Sequence, residues 1–222
     1  MKKILLLSSL LFSSLFFSQI DFKSTRFGVV GGLNYSRVRF AHNPSGPRYA
    51  FHAGVLALIP VDKNNMFFLQ PGLEYYGGGE TGQDSAAKGT PGYNAVYAED
   101  YLSVPLLFKV FFSEAESEFF GIIGPRLNFL VNQKVTDPSK PYYAVEQLPA
   151  YPGVNGKANS FNYALAMGIG YSYKRKIELT LKLDWGFGNT YPNLLKEPGA
   201  DPNIQKDKTT QVITAGVSYI FD

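Results

Sequence analysis

The chain has no cysteine in its 222 residues. That excludes a disulfide framework, a thiolate metal site and a lipid-modified cysteine behind a leader. Histidine is nearly as scarce, with only His42 and His52. No HxH or HExxH spacing exists, so no metal-ligand motif is expected. The net charge of +3 is small and comes with no basic run longer than Lys174-Arg175-Lys176, which gives no case for a nucleic-acid partner. Beyond the N-terminus there is no long apolar stretch, so no membrane-spanning helix is expected. Gly77-Gly78-Gly79 lacks the Lys-Ser/Thr of a phosphate loop, and Gly28 to Gly32 lies in a strand pattern.

What the chain does have begins with a leader. Met1-Lys2-Lys3 is basic, Ile4 to Phe17 carries no charge, and Ser18-Gln19 precede the charged Asp21. This order predicts a secretory signal peptide over residues 1–18, cleaved after Ser18, and a single domain over 19–222. The apolar run is short for a spanning helix, which needs about 20 residues.

The mature part is rich in Tyr, Phe and Gly, and its pattern is alternation. Phe161, Tyr163, Leu165, Met167, Ile169, Tyr171 and Tyr173 alternate with Asn162, Ala164, Ala166, Gly168, Gly170 and Ser172. Ile177 to Phe187 repeats the pattern against Glu178, Thr180, Lys182 and Asp184, and Gln211 to Phe221 repeats it more weakly. A period of two means strands with one apolar face. Similar runs occur at Phe27–Tyr35, Tyr49–Val61, Met66–Gly77, Glu99–Phe112 and Phe119–Val131, giving eight strands.

The connections alternate in length. Phe40–Arg48, Gly78–Ala98, Asn132–Ser160 and Tyr191–Lys208 are long, and Asp62–Asn65, Ser113–Glu118 and Lys174–Lys176 are short. Short periplasmic turns and longer outer loops are the layout of an all-β, eight-stranded antiparallel up-and-down transmembrane β-barrel. The location expected is the outer membrane of a Gram-negative bacterium. The Gly-, Pro- and Asn-rich long connections read as solvated, mobile loops. In the largest, Tyr142, Tyr143 and Tyr151 suit either a variable surface loop or a partner-binding one.

Two stretches carry a resemblance. Tyr101-Leu102-Ser103-Val104-Pro105-Leu106-Leu107-Phe108-Lys109 is followed one hairpin on by Gly121-Ile122-Ile123-Gly124-Pro125. Together they resemble the "YLxxPLLxK" and "GxxGP" strands of the PorT-like outer-membrane β-barrel family. The resemblance implies the same fold and address, with outer-membrane lipid and the barrel-assembly machinery as partners. A surface or secretion-system protein is a further partner it suggests. It supplies no catalytic, cofactor-binding or metal residues. Asp222 after Phe221 departs from the terminal aromatic of barrel-assembly signals.

Facing inward by parity are Gln70, Glu74, Lys109, Arg126, Asn128, Glu178, Lys182 and Asp184. An interior this narrow fills with side chains, so these form a polar network of ion pairs and hydrogen bonds. Beside them Ala164, Ala166, Gly168 and Gly170 leave room for long side chains. The reading is thus a structural or surface-interaction protein of unknown ligand, with no cofactor. A small porin-like channel past Arg126, Lys182 and Asp184 is the first alternative. A soluble lipocalin-like carrier, with the apolar faces turned inward around a hydrophobic ligand, is the second. An enzyme is not expected: His42 or His52 with Ser36 or Ser45 would still lack an orienting third group.

Overall fold

A computed structural model describes residues 22–82, 88–90, 92–196 and 206–221. The expected leader with its cleavage point, residues 197–205 of the last outer connection and Asp222 lie outside the described residues. The strands are β1 (Arg26–Val38), β2 (Gly46–Pro60), β3 (Phe67–Thr81), β4 (Val96–Phe111), β5 (Glu118–Thr136), β6 (Phe161–Tyr173), β7 (Ile177–Gly186) and β8 (Thr210–Ile220). Each pairs antiparallel with the next, and β1 pairs with β8 from Gly28↔Ile220 to Val38↔Thr210, closing the barrel. Closure leaves no edge within the membrane, where an unpaired backbone group would have no water.

Alternation decides which face meets lipid. Leu33, Val55, Leu73, Leu106, Ile123, Ile169, Leu179, Leu181 and Val217 are exposed on the outside, while Glu74, Arg126, Glu178, Lys182 and Asp184 are buried inside. The soluble-carrier alternative needed the reverse orientation and is overturned by this arrangement. Outward aromatics form two belts. Tyr35 packs on Tyr49 (ring centroids 5.5 Å), Phe51 on Tyr75 (5.1 Å) and Phe129 on Phe161 (5.3 Å) at one level. Phe67 packs on Phe108 (6.0 Å), Phe119 on Tyr171 (5.1 Å) and Tyr219 on Phe221 (5.6 Å) at the other. From Phe119 to Phe129 along β5 the chain climbs roughly 24 Å at a tilt of about 45°. That matches the apolar band of such barrels, about 25 Å tall between aromatic girdles.

The strands run farther outward than their apolar alternation shows. β4 and β5 have 16 and 19 residues against 10 and 11 in β7 and β8. Crossing takes about 9–11 residues, so β2 to β5 raise a wall above the outer girdle. Gly78, expected in a loop, pairs instead with Glu99, and the ladder continues to Thr81↔Val96. Asp100 pairs with Asn132 but Tyr101 with Leu130, so Val131 is an extra residue in β5. Beyond it the Gln133 amide donates to Gly156 O (2.7 Å) and accepts from Ala158 N (2.9 Å), seating the returning loop on the wall.

At the opposite end the turns are tight. Asp62 carboxylate oxygens accept from Asn64, Met66 and Phe67 N–H groups. Lys174 and Arg175 take φ of 53° and 54° in a two-residue turn closed by Lys176 N to Tyr173 O (3.0 Å). Two non-glycine residues in the left-handed region are unusual. Arg175 offsets that cost by donating to Asn65 O (2.7 Å), Ser113 O (3.1 Å), Ala115 O (3.1 Å) and Glu118 (3.1 Å), so one guanidinium ties three turns together.

Ile169→Arg, on the lipid face of β6, is expected to cost about 2–4 kcal/mol. Urea-dependent folding into lipid vesicles measures it. A cost near zero would mean that this face meets water.

Candidate functional site

The lumen is filled in tiers. Nearest the short turns, Leu56, Leu58, Phe68, Leu107, Phe111, Phe120, Ile122, Ala166 and Ile220 form an apolar plug. Within it Lys109 pairs with Glu178, both buried, and the ammonium lies 4.0 Å from the Phe120 ring centroid. Gly170 makes this possible: a Cβ there would lie 2.7 Å from Phe120 Cε2.

The middle tier centres on Arg126, which is fully buried. Its Nη1 donates to Glu74 Oε2 (2.7 Å) and Ser103 Oγ (2.9 Å), and its Nε lies 3.2 Å from Asp184 Oδ2. The Tyr76 hydroxyl donates to the same Asp184, and the guanidinium sits 4.5 Å from the Tyr76 ring centroid. Ser103 Oγ in turn donates to Asn128 Oδ1 (2.7 Å). One cation is thus held by two carboxylates and stacked on a ring, the arrangement a buried charge needs. Lys182 stands beside this group and restores neutrality. Across the barrel His52 Nδ1 bonds Asn34 Oδ1 (2.7 Å), and Asn34 Nδ2 donates to Gly77 O (2.8 Å). The paired Gly32 and Gly216 hold that imidazole close: Cβ atoms there would come within 2.8 Å and 3.0 Å of the ring.

All eight residues expected inside line the lumen, but they do not make one network. Arg126, Glu74, Asp184 and Asn128 form one cluster and Lys109–Glu178 another. Between them lies a cavity of about 10 Å³ bordered by Gln70, Glu74, Glu178, Lys182 and His52. A second cavity, about 20 Å³, lies above Tyr76 and Asp184 beside Asn162 and Tyr101. Each has room for about one water. Arg126, bonded to Glu74 at the edge of one cavity and close to Asp184 at the edge of the other, sits between the residues that line the two.

Above the outer girdle the described parts of the connections, expected as mobile loops, fold together. Val38, Ala41, Ala95, Tyr97, Tyr142, Tyr143, Val154, Ala158, Tyr191 and Leu194 bury one another in a cap core drawn from all four outer connections and the wall. The physical reason is the aromatic content of these segments, which is enough to exclude water. His42 sits at the centre. Its ring stacks on Tyr97 (3.4 Å, 2°) and meets Tyr143 (4.7 Å) and Tyr191 (4.8 Å) edge to face. Nδ1 bonds Glu80 Oε1 (2.6 Å), to which the His42 N–H also donates (3.2 Å). Burial, then the nearby Lys208 and Lys140, push the imidazole down to about 3. Beneath the cap Arg48 pairs with Asp100 (3.2 Å), and the Tyr101 hydroxyl donates to Glu99 (2.7 Å).

Sequence parity reaches Ser103, which shares an inward row with Lys109. It does not reach His42–Glu80, whose pairing depends on loop folding, nor the hub made by Arg175. Ser45, considered beside a histidine for catalysis, accepts from Arg37 (3.3 Å), while both imidazoles engage other partners. Among the described residues no three metal-ligating side chains converge.

Arg126→Met strands Glu74 and Asp184 and is expected to cost about 3–5 kcal/mol. Adding Glu74→Gln and Asp184→Asn should restore part of it, as read from urea titrations in vesicles. In the cap, the neutral imidazole is favoured when folded. The stability His42 contributes is therefore complete above about pH 6.5 and falls towards pH 3, by about 1.4 kcal/mol per pH unit. Hydrogen exchange of cap amides isolates this as the difference between Glu80→Gln and Glu80→Gln/His42→Phe. A pH-independent difference would contradict it.

The geometry can be set beside known proteins. Neisserial surface protein A has 11% sequence identity, with 89% of this chain and 97% of that one covered and a TM-score of 0.45. A major outer membrane protein from Thermus thermophilus has 13% identity over 89% and 100%, with a TM-score of 0.47. Ail, the attachment invasion locus protein of Yersinia pestis, has 8% over 89% and 97%, with 0.40. A comparison with curated proteins returns no match. The model of the outer membrane protein beta-barrel domain matches residues 17–191, a span that includes β1 to β7. The chain belongs to that family and is an integral outer-membrane β-barrel.

Proposed function

We propose that this barrel is a closed, capped membrane anchor whose outer face serves a structural or surface-interaction role. The observation that carries the reading is the cap: four outer connections bury a common core over a lumen already plugged in two tiers. A pore-former keeps its outer mouth and constriction wet, whereas here aromatic side chains and ion pairs occupy both. The raised wall of β2 to β5 holds the cap clear of the bilayer, where a partner can reach it.

The same reading includes export by the 1–18 leader, its removal, and insertion by the barrel-assembly machinery. It places the chain in the PorT-like branch, on the strength of Tyr101, Pro105, Lys109, Gly124 and Pro125. In the barrel these motif positions have structural work: Pro105 packs over Gly72, Lys109 pairs with Glu178, and a Cβ at Gly124 would lie 2.9 Å from Leu107 Cα. That supports a packing role for the motif positions; the reading adds no catalytic activity, with a protein at the surface or in a secretion system as the partner.

Planar-bilayer recordings of the full chain test the closed lumen. No unitary steps above the lipid baseline are expected for wild type. Stable, ion-selective openings would give the reading over to the channel.

A further inference from the structure

The first outer connection carries an arrangement that the closed-barrel reading leaves unused. Phe40 is half exposed and holds φ of 60°, a conformation bulky residues rarely adopt. Two cations from different connections flank its ring: Arg39 Cζ and Lys206 Nζ, each 4.9 Å from the centroid. Arg37, exposed on the same strand end, reaches Ser45 Oγ. The Arg39 N–H bonds Thr209 O (2.9 Å), which fixes the two connections side by side. No carboxylate among the described residues forms an ion pair with any of the three.

Height gives the arrangement its meaning. Arg37 follows Tyr35, a member of the outer girdle, by one outward step. At a tilt of about 45° that is roughly 5 Å above the ring belt. On one flank β1 pairs with β8, which is short like β7. Two cations at an aromatic ring, with Arg37 exposed on the strand end below them, therefore stand at the headgroup plane of the outer leaflet. Guanidinium forks match phosphate oxygens, and an interfacial ring suits the boundary between sugar and acyl chain.

We propose that Arg39 and Lys206, which flank Phe40, together with Arg37 on the same strand end, bind the phosphate groups of a phosphorylated glycolipid in the outer leaflet. This rests on the outer-membrane location and not on the closed lumen, so it survives if the barrel conducts. The ligand is membrane-borne: Phe40 needs an amphipathic neighbour that a free anion lacks.

The test uses the full chain in phosphatidylcholine vesicles containing a small fraction of fluorescent diphosphoryl lipid A. Energy transfer from Trp185 reports enrichment next to the barrel. Wild type is expected to enrich the glycolipid over a neutral fluorescent lipid. Each of Arg37→Gln, Arg39→Gln and Lys206→Gln should lower that enrichment about two- to fivefold, with heat-dependent gel mobility unchanged. Phe40→Ala, which removes no charge, should also weaken it. Equal enrichment in the triple variant and wild type would overturn the proposal. So would equal enrichment of phosphatidylglycerol, which marks generic charge attraction, or full competition by millimolar pyrophosphate, which marks a soluble anion site.

Discussion

Inside a bilayer every backbone N–H and C=O must find a protein partner, and that requirement organises the rest of this molecule. β1 must meet β8, so the sheet closes. Closure with eight strands leaves a lumen only wide enough for side chains. Alternation then sends one residue in two into that lumen, including charged ones, and sends the other to lipid. The aromatic belts follow at the two heights where the outward face passes from hydrocarbon to headgroups.

The interior answers the cost of desolvated charge by local neutrality. Arg126 sits between Glu74 and Asp184, Lys109 is paired with Glu178, and neither cation faces an apolar wall alone. Bulky inward side chains find room beside glycines on the paired strands. Gly168 and Gly170 on β6 accept Lys182 and Phe120, and Gly32 with Gly216 accept His52. The glycines thus make room for the bulky and charged side chains buried in the lumen.

Much of this was legible from residue order. β6 is read from Phe161 to Tyr173 by alternation alone, and the long–short sequence of connections gives the hairpin topology. Inward parity finds Arg126, Glu74 and Asp184, since a period of two determines direction. It does not say which inward residues meet across the lumen, because shear and height set that. It also stops where strands leave the membrane. Above the outer girdle both faces of β3 and β4 are covered, so Gly78 to Thr81 lose the apolar–polar rhythm and read as loop. The cap escapes for the same reason: Tyr142, Tyr143 and Tyr191 bury against segments remote in sequence. Arg175 escapes because a Lys-Arg-Lys turn gives no sign that its carbonyl acceptors come from two other turns.

Because the chain has no cysteine, the central claim can be tested one position at a time. Single cysteines at Leu179, Thr180, Leu181 and Lys182 along β7, in protein reconstituted in vesicles, would be offered a water-soluble maleimide and then a lipid-soluble one. A sealed barrel predicts that Leu179 and Leu181 positions react only with the lipid-soluble reagent. The Thr180 and Lys182 positions should react with neither until the protein is unfolded. Rapid labelling of the Thr180 and Lys182 positions by the water-soluble reagent in folded protein would contradict the account and show a lumen open to water.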